Sequence, residues 1–188
     1  MKKILTFALL ASAAIATPAL AQSASGTVAV IGTVAGKCTA ITPITGTITL
    51  NEMANSAGTV ISGFTNATGT LTRSFSVICT SSNASITVSS TNLVNSADAT
   101  TANGYTGTVH YTSTLTAQKA GGGADASAVY TSADALPTAT TVSLADRLKN
   151  AASNVTVTVS NGTTTNATDL LKSGTYNDTL IVTVSPSV

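Results

Sequence analysis

An all-β sandwich of antiparallel strands is the fold class this sequence predicts, and three observations predict it. Charged residues make up 8% of the 188 positions, against roughly a quarter in an average soluble domain. The space is filled by Thr, Ser, Ala, Val and Gly, and the β-branched members of that set favour strands. At least seven short stretches alternate apolar and polar residues with a period of two, separated by Gly, Asn and Ser clusters. Only residues 143–150 have any helical character. A surface so poor in charge also lacks the usual protection of exposed sheet edges, so an uncovered edge here invites pairing with another chain.

Residues 1–21 have the build of a secretory signal peptide. Lys2 and Lys3 form a basic start, residues 4–16 are almost unbroken apolar, and Ala19-Leu20-Ala21 offers a small-x-small cleavage site before Gln22. The apolar run is too short to span a bilayer comfortably, and no later stretch is long enough. An exported protein with no membrane span is expected. Residues 22–188 then carry six Lys and Arg against seven Asp and Glu. The bases, Lys37, Arg73, Lys119, Arg147, Lys149 and Lys172, are scattered, which argues against a nucleic-acid partner.

The mature chain begins with residues 22–37, an arm leading to the first cysteine. Its core, G-T-V-A-V-I-G-T-V from Gly26 to Val34, places Val28, Val30, Gly32 and Val34 on one parity, so an extended chain presents a stripe of small apolar side chains. That is a strand in search of a sheet. The body of the fold, residues 38–188, holds both cysteines. In an exported chain Cys38 and Cys79 are most simply one disulfide, stapling two strands and closing a loop worth on the order of 4 kcal/mol. No C-x-x-C spacing points to redox or metal chemistry instead.

Residues 45–50 alternate; residues 71–79 put Leu71, Phe75 and Val77 on one face; residues 85–88 alternate again. Residues 105–115 read as a half-buried strand with Tyr105, Val109, Tyr111 and Leu115 inward. Gly121-Gly122-Gly123 marks a loop. In residues 143–150, Asp146 follows Ser143 by three and Leu148 follows Leu144 by four, which suggests one capped helical turn or a loop covering the end of the core. Residues 154–165 carry the strongest hairpin signal, with Val155, Val157 and Val159 alternating before Asn161-Gly162. Finally, in residues 173–184, Tyr176, Leu180, Val182 and Val184 line one face. This many short strands with almost no helix suggest a Greek-key or immunoglobulin-like sandwich.

No catalytic constellation emerges, and no enzymatic activity, metal or cofactor is expected. His110, the single histidine, falls on the polar side of its strand and is expected to be solvated. Glu52, Asp98, Asp125, Asp134, Asp146, Asp169 and Asp178 are spread singly, and neither a G-x-S-x-G elbow nor an H-E-x-x-H pair is present. The Asn66-Ala67-Thr68 and Asn161-Gly162-Thr163 sequons are expected by chance in so Thr-rich a chain and are assigned no role.

Three patches carry a family resemblance. G-T-V-A-V-I-G-T-V-A-G-K-C resembles the amino-terminal arm and first cysteine of type 1 fimbrial subunits. S-F-S-V-I-C-T followed by N-A-S-I-T-V resembles the second-cysteine strand of pilins and of the spore coat protein U family, and S-G-T-Y-N-D-T-L-I-V-T-V resembles the closing strand of the latter. The resemblance implies a pilin-type sandwich lacking one strand, which a neighbour donates. It implies Val28, Val30, Gly32 and Val34 as the inserted side chains, Cys38–Cys79 as the staple of the first two strands, and Leu180, Val182 and Val184 as the border of the receiving groove. The implied partners are other pilin subunits, a periplasmic chaperone and an outer-membrane usher. The destination is a fibre at the cell surface that serves adhesion. Read from the residues alone, the arm fits equally the first strand of a self-contained secreted or outer-surface module, which could bind glycans, although with no Trp and four Tyr it has few aromatic platforms for sugars.

Overall fold

The structure, a computed structural model, describes residues 27–64, 71–132 and 139–187. The expected signal peptide 1–21, residues 22–26, the Asn66-Ala67-Thr68 sequon and Asp134 lie outside the described residues. The chain divides into two units, Met1–Thr33 and Val34–Val188. In the first, residues 27–33 join no strand, and Val28, Val30 and Ile31 are exposed.

The second unit is nearly all β. Its strands are β1 (Cys38–Ala40), β2 (Thr72–Phe75), β3 (Val77–Cys79), β4 (Asn83–Ser89), β5 (Leu93–Asn95), β6 (Thr101–Ala102) and β7 (Tyr105–Thr106). Next come β8 (Thr108–Ala117), β9 (Ala126–Thr131), β10 (Thr140–Ser143), β11 (Val155–Thr163), β12 (Leu170–Leu171), β13 (Tyr176–Asn177) and β14 (Ile181–Ser187). The largest sheet runs β13-β5-β8-β11-β2, with β9 also paired to β8; a second sheet runs β10-β4-β14. Two small sheets, β1-β3 and β12-β7-β6, stand beside these, and among the described residues only the β12–β7 pair is parallel.

The two larger sheets bury their inner faces against each other. Ala84, Ile86 and Val88 of β4 are fully buried. They share a cluster with Leu115 and Ala117 of β8, Ala126, Ala128 and Tyr130 of β9, and Val155 and Val157 of β11. Leu50, Met53, Phe64, Val109, Tyr111 and Val159 form a second cluster. Both arise from the period-two pattern, since every second side chain of a strand points inward. Cys38 and Cys79 stand directly opposite each other in the β1–β3 ladder and are bonded. Beside them Asn154 acts as a surrogate strand: its Oδ1 accepts from the Val77 N–H at 2.9 Å, and its Nδ2 donates to the Val77 carbonyl at 2.7 Å.

Three expectations about local structure are corrected, and of the two readings of residues 143–150 the loop holds. Residues 45–50 are extended but belong to no strand. The expected strand 105–115 is interrupted at Gly107, where an added Cβ would lie 1.8 Å from the Asp98 carbonyl oxygen; Tyr105 thereby falls in a separate small sheet and is 48% exposed. Residues 143–150 form no helix. Ala145 sits at φ 52°, the Ala145 N–H donates to Ser143 Oγ only two residues back, and Leu144 and Leu148 are buried by a loop. Asn161-Gly162 makes a bulge rather than a hairpin turn. Strand β11 runs through it with a register shift against β8 between Ser160 and Thr163, and only Asn161 of the two adopts positive φ. Gly121-Gly122-Gly123 forms the expected loop, with positive φ at its last two positions.

Candidate functional site

Within the second unit a cleft of about 450 Å³ opens between two extended stretches, residues 44–50 and 178–182. Along the first, Ile44 and Ile48 are half-buried and Leu50 is buried, while Thr45, Thr47 and Thr49 face solvent. Its alternation is that of a strand, yet no backbone-to-backbone hydrogen bond joins residues 43–50 to another segment among the described residues. What holds it is side-chain chemistry: Arg73 Nε donates to the Thr47 carbonyl at 2.7 Å, and Ile48 packs against both core clusters.

The opposite wall is the approach to β14. Leu180 lies between β13 and β14 in no strand and, like Ile48, touches both clusters. Strand β14 pairs with β4 on one side and is an edge strand on the other. Pro186, which has no N–H to donate, is tolerated near its end for that reason. Phe75, Val157, Val159 and Leu93 supply apolar side chains to the interior of the cleft. A second hollow, about 460 Å³, shares Thr47, Ile48, Leu50, Leu93 and Asp178 with the first and continues it along residues 51–53 and 174–177. Together they form a trough whose two sides run along residues 44–53 and 174–182.

Polar side chains tie down the second wall. Tyr111 Oη donates to Asp178 Oδ2, Thr91 Oγ1 donates to Asp178 Oδ1, and the Thr179 N–H donates to the same Oδ1 at 2.7 Å. Burial raises the Tyr111 phenol above its ordinary pKa, and its hydrogen bond to the Asp178 carboxylate raises it further. Two residues earlier, the Tyr176 hydroxyl lies 2.9 Å from the Lys172 carbonyl and 3.2 Å from that of Thr106. The Ser96 N–H donates to the Thr175 carbonyl at 2.9 Å. The G-T-Y-N-D-T run is thus a set of anchors: Asp178 ties the wall to Tyr111 of β8 and to Thr91, Tyr176 ties it to the Thr106 carbonyl of β7, and Thr175 ties it to Ser96.

The sequence-predicted site residues fall into two groups. Leu180 and Val182 line the cleft, and Val184 packs beside it against the first core cluster. Val28, Val30 and Val34 are exposed to 89%, 95% and 84%, and a Cβ added at Gly32 would meet nothing within 4 Å. Sequence reasoning missed Ile44, Arg73, Tyr111 and Asp178 as cleft residues. The alternation at 45–50 located a strand-like stretch, but nothing local records that its ladder partner is missing. His110 is half-buried rather than solvated, with Nδ1 2.9 Å from Asn92 Oδ1 and Nε2 3.2 Å from Thr165 Oγ1. Among the described residues no three His, Cys, Asp or Glu side chains stand together as a metal site would require, and no helix is long and apolar enough to cross a membrane.

Fold and cleft together define a class: a disulfide-stapled, nearly all-β domain with an apolar trough between two extended segments. Family models, curated proteins and solved structures contain no match to the chain.

Proposed function

We propose that this chain is a structural subunit of a surface fibre built by donor-strand complementation, each copy laying its amino-terminal arm into the trough of the next. The observation that carries this reading is the trough itself. Its interior is lined by Phe75, Leu93, Val157 and Val159, and it is bordered by residues 44–50, without a ladder among the described residues, and by the edge strand β14. An inserted strand supplies what is missing on both sides: main-chain hydrogen bonds to the walls and alternate side chains to the interior.

The arm has the complementary properties. Its nine residues 26–34 reach about 30 Å when extended. Val28, Val30 and Val34 are almost fully exposed, and burying each contributes about 1.5–3 kcal/mol. A contact of arm to trough is head to tail and does not close, so it propagates. On this reading a periplasmic chaperone covers the trough before assembly and an outer-membrane usher exports the growing fibre.

The test compares the mature protein with a variant lacking residues 22–34 by size-exclusion chromatography with light scattering. The intact chain is expected to form SDS-resistant ladders, and the truncated one to stay monomeric while taking up a synthetic peptide of residues 22–34. A monomeric intact chain, with no peptide uptake by the variant, refutes the fibre.

A further inference from the structure

We infer that the Cys38–Cys79 bridge is a tension shunt, leading force that enters through the arm past the weakest wall of the trough and into the laddered core. The inference rests on the proposed fibre for its purpose, but its geometry stands within the second unit. The arm's base is lashed down over three residues. Thr80 Oγ1 donates to the Ala35 carbonyl at 3.0 Å and accepts from the Lys37 N–H at 3.0 Å, and the Thr80 N–H donates to the Lys37 carbonyl at 2.9 Å. Gly36 lies against Pro186 and Ser81. The next residue but one is Cys38, so the arm reaches a covalent anchor with almost no slack.

Beyond Cys38 the chain is poorly secured. Strand β1 pairs with β3 over only three positions. Ile41 and Thr42 then donate to the Ser76 carbonyl at 2.8 and 3.4 Å, and among the described residues no backbone-to-backbone bond joins 43–50 to another segment. The wall of the trough therefore begins six residues beyond the point where a pull on the arm arrives. Without the bridge, that pull peels the Thr80 contacts, three ladder positions and the two bonds to Ser76, and then reaches Ile44 and Ile48. With it, the pull crosses to Cys79, four residues before β4, the central strand of its sheet, flanked by β10 and β14. Residues 39–78, which contain the wall, lie in a covalent loop off the line of tension. A pull through the arm would otherwise open the trough that holds the neighbouring copy.

Single-molecule stretching of the full mature chain tests this without requiring a fibre. Handles are attached at Gln22 and at the carboxyl terminus, and the chain is pulled with the disulfide intact and again after reduction. With the disulfide intact it is expected to show no early event. Reduced protein should release residues 41–71 at lower force, before the core gives way, an extension of roughly 100 Å at about 3.4 Å per residue. Reduced protein in which these residues come free only when the core unfolds, in a single step, overturns the shunt. Light scattering judges the fibre separately, so the two failures are distinguishable.

Discussion

Residues 84–88 and 44–50 are built to the same pattern and end in different physical situations. In the first, Ala84, Ile86 and Val88 point into the core from a strand paired on both sides, and all three are fully buried. In the second, Ile44, Ile48 and Leu50 point inward from an extended chain with no ladder, and the first two stay half-exposed. Alternation decides which side chains face the core. Pairing depends on whether another segment with a matching edge lies alongside, and the trough is the place where none does. The protein therefore has one region whose stability is shared among many hydrogen bonds and another held by a few side chains, with its main-chain groups available to a partner.

Two truncations separate these regions. Ile86→Ala removes buried atoms from a site that cannot collapse and should cost about 2–5 kcal/mol in urea unfolding. Ile48→Ala removes a half-buried side chain at the edge of a cleft already open to solvent, and should cost about 1 kcal/mol while weakening uptake of the arm peptide. Equal costs would show that the trough is part of the core and not separable from it.

A loss smaller than that at Ile86 is expected at the bulge that shapes the second core cluster. A Cβ at Gly162 would come within 2.4 Å of the Phe64 ring, and Phe64 is 1% exposed, so the ring has nowhere to retreat. Gly162→Ala should therefore cost about 1–3 kcal/mol through overpacking. A denaturation midpoint unchanged from wild type would mean that the Phe64 ring shifts freely.

Gly162 also shows where sequence reading reached and where it stopped. Val155, Val157 and Val159 announced strand β11 correctly, because burial of alternate side chains is a local property of an extended chain. Asn161-Gly162 looked like a turn because those residues tolerate positive φ. Here the tolerance serves a different need, close approach of Phe64, a residue almost a hundred positions away. The same limit hid the break at Gly107, imposed by Asp98, and the missing ladder at residues 43–50. The staple between Cys38 and Cys79 was legible because a chain with two cysteines offers one internal pairing. Leu180 and Val182 were placed at the groove by resemblance, whereas Tyr111 and Asp178 went unnoticed because their partnership spans 67 positions and has no local signature.

That partnership gives the most specific test of a wall held by side chains. Tyr111→Phe removes the donor to Asp178 Oδ2 and should cost about 1–2 kcal/mol. Because the native environment raises the phenol's pKa above its unfolded value of about 10, the neutral form is favoured in the folded protein. The stabilisation is thus complete below pH 10 and is lost as the pH climbs beyond it. Urea unfolding of wild type and Tyr111→Phe should therefore differ by a constant amount up to about pH 10 and converge above it. At neutral pH, amide exchange at Thr179, Leu180 and Ile181 should quicken in the variant while that of β4 stays unchanged, because β4 keeps its ladders and the wall has lost an anchor. Parallel stability curves together with unaltered exchange at 179–181 would mean that the wall is fixed by packing alone, and that the contrast between the two regions lies in hydrogen bonding without reaching stability.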